Sequence, residues 1–179
     1  MSRPASQLLD AIRADAEVRQ LLGDSFDFYL TDDDDHDWLI IDGVTDRRAI
    51  AKDGGGGPYL LFGKDDRLAY VTSEDRAGII AANLEEGLSL LVAYPYWLDL
   101  LDDNVEAMHE GIEELEESML GDIEDLDEHR AIIRERLKLK SQGDELEKLH
   151  SAITTLGRNF VVRPPNEPEI AFQPFLRGA

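Results

Sequence analysis

The sequence predicts an α+β protein in which an antiparallel sheet is followed by a helical region. Between residues 47 and 71, short apolar runs alternate with turn residues, which is the pattern of an antiparallel meander. Asn83 is followed three residues later by Glu86, the spacing of a capping box at the start of a helix. Residues 102–159 contain no proline and repeat their apolar side chains at helical spacing. These three observations define the fold class.

The sequence of the N-terminal part predicts one helix, one short strand and an apolar run that is either a strand or a buried turn. Residues 4–22 repeat leucine and isoleucine at helical spacing, with Pro4 suited to the first helical position and Gly23 suited to end the helix. Residues 26–30 alternate apolar and polar side chains, which predicts a short strand. The apolar run at residues 38–41 predicts either a strand or a buried turn.

The central strands are predicted at residues 49–51, 59–62 and 68–71. Four glycines at positions 54–57 join the first two. A glycine run can cradle phosphate, but here no Gly-Lys-Ser/Thr follows and the run leads into a strand instead of a helix. We therefore interpret it as a hairpin loop.

The helix that starts at Asn83 is predicted to end at Pro95. The aromatic cluster at residues 94–97 is consistent with a ligand platform or with closure of the core, and we favour the core. A helix follows whose apolar seam steps by three and four residues, with a break at Gly121. Its seam consists of Val105, Met108, Ile112, Leu115 and Met119.

Two more helices and an extended tail are predicted beyond this point. The first carries Leu126, Ile133 and Leu137, and the second starts at Asp144 after the break at residues 141–143. Residues 160–162 predict a strand, and the tail is expected to lie extended on the body through Phe172, Pro174, Phe175 and Leu176. We expect residues 1–101 to form the α+β core and residues 102–179 an acidic helical extension packed on it as one unit.

Charge is the extreme property of the composition. The 179 residues include 39 acids against 18 Lys and Arg, a net charge of −21. Residues 23–46 hold nine of the acids and residues 102–128 hold thirteen, and neither window contains Lys or Arg. The negative field is thus concentrated in two segments, which argues against binding to nucleic acid or to an anionic membrane. It favours a basic protein partner, or solubility alone.

If the charge serves binding, the partner-binding residues are expected in these two windows. They are Asp33, Asp34, Asp35, Asp37, Glu106, Glu110, Glu113, Glu114, Glu116 and Glu117.

No catalytic residues, cofactor or metal are predicted. Nucleotide fingerprints and nucleophile elbows are missing from the sequence. The aspartates beside His36 could hold a hard cation or a hydrolytic metal, but their spacing lacks the glycine and distal glutamate of a calcium loop, so we favour a solvated loop. His109 and Glu113 could share a helix face as ligands, although no second histidine stands at zinc spacing.

The location is predicted to be cytoplasmic. The chain has no cysteine, so disulfides and thiolate metal sites are excluded. Charges interrupt the first 18 residues, which therefore lack the apolar core of a signal peptide, and no run approaches the length of a membrane span. The oligomeric state cannot be predicted.

The central stretch resembles the SUKH superfamily, also called the SMI1/KNR4 family, and in particular its actinobacterial branch. The likeness lies in residues 49–54, residues 59–61, residues 67–74 with the step at 77–81, and the helix at 83–91 running into residues 94–101. A weaker likeness at residues 149–152, 160–162 and 172–175 is similar to the C-terminal extension of that branch.

The resemblance implies a curved antiparallel sheet flanked by helices, with no catalytic residues. It also implies an immunity protein that neutralises a protein toxin, often a nuclease. The alternative that the same family implies is a regulatory or scaffold interaction protein without a toxin partner. The acidic helices after Leu101 exceed the minimal core of the family, so the partner surface could lie on either part.

Overall fold

The computed structural model describes residues 3–32 and 38–176, and it confirms the α+β class. The main sheet consists of six strands: β1 (Tyr29–Leu30), β3 (Arg47–Lys52), β4 (Pro58–Phe62), β5 (Arg67–Val71), β6 (Arg76–Ala81) and β8 (Gln173–Pro174). Their order in the sheet is β1-β3-β4-β5-β6-β8, and neighbouring strands are antiparallel except for the parallel pair β6–β8. A second pair, β2 (Ile40–Ile41) and β7 (Val162–Arg163), forms an antiparallel ribbon.

The N-terminal segment forms two helices, α1 (Ala5–Ala14) and α2 (Ala16–Phe26), so the prediction of one helix over residues 4–22 is wrong. Asp15 interrupts it with an extended backbone, and its carboxylate accepts a hydrogen bond from the Val18 amide at 3.1 Å as the N-cap of α2. Helix α2 does not end at Gly23 but continues to Phe26. The strand predicted for residues 26–30 is therefore shorter, and only β1 forms.

The predicted meander is confirmed as β3, β4 and β5, and β6 extends it by one strand that the sequence did not predict. Gly78 lies in the middle of β6, where glycine is normally unfavourable because it has no side chain to pack. Here a Cβ at Gly78 would lie 2.5 Å from the ring of Phe175, so the glycine makes room for the tail.

The central strands of the main sheet are buried on both faces, and every residue of β4 is buried. Helices α1, α2 and α3 (Leu84–Ala93) pack with one face. The β2–β7 ribbon covers the other face through Leu39, Ile41 and Val162. As predicted, Asn83 caps α3 by accepting from the Glu86 amide at 3.0 Å, and a short helix, α4 (Trp97–Leu100), follows Pro95.

The C-terminal part is helical as predicted, with one difference. The helices are α5 (Val105–Glu110), α6 (Ile112–Asp122), α7 (Leu126–Leu137) and α8 (Glu145–Ser151), continued by a π-helical turn at Ala152–Leu156. The predicted single helix through Met119 is divided at Gly111 into α5 and α6. Of its apolar seam only Met108 is fully buried, and the rest is partly buried against the core.

Residues after Leu101 contribute to the buried apolar clusters on both faces of the main sheet. Helix α7 packs on α2, and β7 and β8 pair with strands of the first part. The predicted extended tail is confirmed, because Phe175 and Leu176 are buried and Arg76 Nη2 donates to the Phe175 carbonyl at 2.9 Å. Within the described residues, no helix combines the length and apolar character needed to cross a bilayer.

Candidate functional site

Residues 102–128, which we call the acidic arm, contain thirteen acids and no Lys or Arg. The arm comprises α5, α6, the turns around them and the start of α7. Twelve of its thirteen acids are exposed, and the exception is Glu116. Glu116 and Asp127 form ion pairs, both with Arg130. The other eleven carboxylates make no ion pair with any residue that the structure describes, so the arm presents a surface of uncompensated negative charge.

Five of the predicted partner-binding residues are exposed on α5 and α6: Glu106, Glu110, Glu113, Glu114 and Glu117. Glu116 is different, because its carboxylate accepts hydrogen bonds from Arg130 and, at 2.5 Å, from the hydroxyl of Tyr96. The sequence contains a signal for this difference. Glu116 stands four residues after Ile112 and three before Met119, so helical spacing places it beside the apolar seam.

Arg130 connects the acidic arm to the body of the protein. Its guanidinium is buried and donates to the carbonyls of Val92 and Ala93, each at 3.0 Å, as well as to Glu116 and Asp127. These carbonyls lie at the C-terminal end of α3, where the last carbonyls have no partner within the helix and a cation is favoured by the helix dipole. One side chain therefore joins α3, α6 and α7, and sequence analysis did not identify it.

The protonation of this cluster suits a fixed structural contact. Hydrogen bonding from Arg130 lowers the pKa of Glu116 below its ordinary value, so the carboxylate stays ionised. Burial, and then the hydrogen bond to Glu116, raises the pKa of Tyr96, so its hydroxyl stays a donor. Neither group is poised to exchange a proton near neutral pH.

The first acidic window is organised differently. Asp32 pairs with Arg13 at 2.7 Å, Asp42 pairs with Arg163 at 3.0 Å, and Asp27 accepts from the Gly54 amide at 2.7 Å. The predicted partner-binding residues Asp33, Asp34, Asp35 and Asp37 lie outside the described residues, as does His36. The hypothesis of a cation at that loop therefore stays a prediction.

The glycine run is a closed hairpin loop, as predicted. Its amides all donate within the protein: Gly54 to Asp27, and Gly55, Gly56 and Gly57 to Asp53. Asp53 is buried and also accepts from the hydroxyl of Tyr70. A loop whose amides already have partners cannot offer them to a phosphate, which removes the basis of the phosphate-loop interpretation.

The aromatic cluster closes the core, in agreement with the favoured interpretation. The rings of Tyr70 and Trp97 meet edge to face with centroids 5.8 Å apart, and Trp97 meets Phe175 in the same way at 5.6 Å. Trp97 is buried. Trp97 is thus enclosed in the core among other aromatic rings, which supports the core interpretation.

The histidines and carboxylates of the described residues form no group able to hold a metal ion. His109 contacts Glu147, at 2.8 Å from Nε2 to Oε1, instead of the Glu113 that its sequence position suggested. Comparison with protein-family models, with curated proteins and with solved structures finds no match for this chain.

Proposed function

We propose that this chain is a non-enzymatic protein-binding module, an immunity protein that binds and neutralises a positively charged toxin domain, such as a nuclease, in the cytoplasm. The resemblance of its central stretch to SUKH proteins suggests the class of function. One observation indicates that the partner is positively charged: eleven carboxylates of the acidic arm make no ion pair with the described residues.

The charge of the arm fits this class of partner. A nuclease must hold phosphates with lysine and arginine, so its substrate groove is positive. A negative surface complements such a groove, increases the rate of association and competes with nucleic acid for the same site. The attachment of the arm through Arg130 favours binding further, because a surface that is already ordered loses less entropy when it docks.

The groups with shifted pKa values support a role in binding instead of catalysis. Glu116 and Tyr96 bind each other, and Tyr70 donates to Asp53 in the core. Burial raises the pKa of Tyr70 well above its ordinary value, so this hydroxyl stays protonated and is not suited to act as a general acid or base near neutral pH. Each of these groups has an internal structural partner, whereas a catalytic group must face a substrate.

The test is the rate at which the chain associates with the protein encoded by the adjacent reading frame. We expect a complex whose association slows about tenfold or more from low to high salt. The triple variant Glu113→Gln, Glu114→Gln, Glu117→Gln should slow association at low salt and leave it nearly unchanged at high salt.

A matched control removes three exposed charges elsewhere: Asp65→Asn, Glu74→Gln and Glu135→Gln. This variant has the same net charge as the triple variant of the arm, so a slower rate in the arm variant alone locates the effect. A neighbouring protein that forms no complex would contradict the proposed function. Equal rates for the two variants would contradict the role of the arm.

A further inference from the structure

A pocket lies between the start of α3, the segment that follows α7, and α8. Its volume is about 320 Å³, which is at the lower end of the range for sites that bind small molecules. None of the residues that line it belongs to residues 102–128, so the pocket is separate from the acidic arm. Its wall carries both signs of charge, from Glu85, Glu86, Lys140, Glu145 and Lys148.

Two of these side chains already have ion partners within the protein. Glu85 pairs with the guanidinium of Arg3 at 3.4 Å, and its other oxygen accepts from the Arg3 amide at 3.0 Å. Lys148 pairs with Asp144 at 2.9 Å and donates to the side-chain oxygen of Gln142 at 3.1 Å. The charges of Glu85 and Lys148 are therefore compensated without a ligand. The charged residues of the wall that remain are Glu86, Lys140 and Glu145.

Glu145 is the residue that points to a ligand, because it is only 5% exposed. One of its oxygens, Oε1, accepts from the Ser141 hydroxyl and the Gln142 amide, each at 3.1 Å. The other oxygen, Oε2, accepts no hydrogen bond from the described residues and is not enclosed by them, so it faces the pocket that Glu145 lines. A carboxylate largely removed from water is costly unless its charge is paired. A donor in the pocket would remove this cost.

Glu86 and Lys140 also make no ion pair with any described residue. Glu86 is half-buried and lies in the first turn of α3, where the helix dipole stabilises an acid even without a ligand. Glu86 alone would therefore not indicate a site, but beside Glu145 it adds a second acceptor. Lys140 is exposed and reaches the pocket from the segment after α7, so it brings an unpaired cation to the same space.

We propose that this pocket binds a free amino acid in its zwitterionic form. The ammonium group donates to Glu145 Oε2 and to Glu86, and the carboxylate pairs with Lys140. A ligand with an ammonium group alone leaves Lys140 unpaired, and a ligand with a carboxylate alone meets two acids. Among the described residues no group of side chains could hold a metal ion, so an organic cation suits these acids better. The inference goes beyond the proposed function and does not depend on it.

The test is a thermal-shift screen of the chain against the standard amino acids, each added alone. We expect at least one of them to raise Tm in a saturable way, because a ligand that binds the folded state stabilises it. Titration calorimetry then compares that amino acid with its amide, which lacks the carboxylate, and with its N-acetyl derivative, which lacks the ammonium group. Each derivative should bind about tenfold more weakly or worse, since each loses a charge-assisted contact.

Variants locate the binding in the pocket. Glu86→Gln and Lys140→Gln each remove one charge that has no ion partner among the described residues, and each should weaken the amino acid about tenfold. Lys140→Gln should leave the affinity for the amide nearly unchanged, because the amide has no carboxylate to pair with. Glu145→Gln keeps an oxygen for its internal donors and should also weaken binding. Glu135→Gln removes an exposed charge outside the pocket and should have no effect.

Three outcomes would overturn the inference. The first is that no amino acid raises Tm in a saturable way. The second is equal affinity for the amino acid and its two derivatives, and the third is an equal effect of Glu135→Gln and Glu86→Gln. All three leave the proposed function standing, because that function is tested separately by the complex with the protein encoded by the adjacent reading frame.

Discussion

The two acidic windows look alike in sequence and differ in structure. In residues 23–46, Asp27, Asp32 and Asp42 each bind a donor elsewhere in the protein. In residues 102–128, Glu116 and Asp127 are the acids that form ion pairs with described residues, and Arg130 serves both. These three acids of the first window thus have partners within the fold, whereas most acids of the second window are exposed without an ion pair to a described residue. A count of charges does not distinguish these roles, because the donors come from distant parts of the chain.

Among the substitutions compared, we expect the largest loss in the free energy of unfolding at Arg130, which links the second window to the core. Arg130→Ala leaves the carboxylate of Glu116 and the carbonyls of Val92 and Ala93 without their buried donor. Breaking such a pair by removing one partner costs about 3–5 kcal/mol, which we expect as a loss in the free energy of unfolding measured with urea.

Arg136 is the matched control, because it lies on the same helix and also binds two carboxylates, those of Asp15 and Glu17. These contacts are on the surface, so Arg136→Ala should cost far less. Equal losses in the two variants would contradict the claim that burial makes the Arg130 contacts strong.

Asp53, in the first part of the chain, is a buried carboxylate that, like Glu116, accepts several hydrogen bonds within the protein. Asp53→Asn leaves a single carbonyl oxygen where the carboxylate now accepts from Gly55, Gly57 and Tyr70. We expect a loss of about 2–3 kcal/mol in the free energy of unfolding, because hydrogen bonds to a buried charge are strong and an unsatisfied donor is costly. Thermal and urea unfolding measure it.

Asp27 provides the comparison for Asp53, since it also binds the glycine loop but through one amide, that of Gly54. Burial raises the pKa of Asp27, so the environment penalises its charge. Asp27→Asn keeps an acceptor oxygen and removes that charge, and its stability should stay within about 0.5 kcal/mol of the wild type. A loss as large as that of Asp53→Asn would show that charge, not the number of bonds, holds the loop.

The sequence predicted the parts of the fold that depend on local signals. The meander, the Asn83 cap and the end of α3 before Pro95 follow from turn chemistry and capping within a few residues. It missed β6, where Gly78 accommodates Phe175 from a distant part of the chain. It also missed the break at Asp15, although the N-cap bond from the Val18 amide to Asp15 is local. It found the exposed acids of the candidate site but not the internal role of Glu116, because Arg130 and Tyr96 reach it through space.

The pH dependence of stability separates Glu116 from its neighbours. Hydrogen bonding to Arg130 lowers the pKa of folded Glu116 below its ordinary value of 4.5, so on acidification the unfolded chain takes up this proton first. The stabilisation is therefore present above about pH 4.5 and is lost as the pH falls through the lowered pKa. The wild type should be more stable than Glu116→Gln at neutral pH, and the difference should shrink in acid. Urea titrations at several pH values measure it.

Glu117→Gln controls for the loss of one negative charge at the next position, which is exposed. The difference between wild type and this variant should stay small at every pH. If the Glu116→Gln difference is also independent of pH, the pair with Arg130 does not set the ionisation of Glu116, and the distinction between it and the displayed acids fails.

The smallest expected effect concerns the displayed acids themselves. Glu113 and Glu117 are four positions apart on α6, where like charges repel by about 0.2–0.5 kcal/mol. Glu113 lies in the first turn, where the helix dipole favours an acid, and Glu117 does not. Glu117→Gln should therefore raise the free energy of unfolding slightly at low salt and lose this advantage at high salt, whereas Glu113→Gln should give no gain. A lower stability for Glu117→Gln would mean that its carboxylate stabilises the fold, although Glu117 makes no ion pair with any described residue.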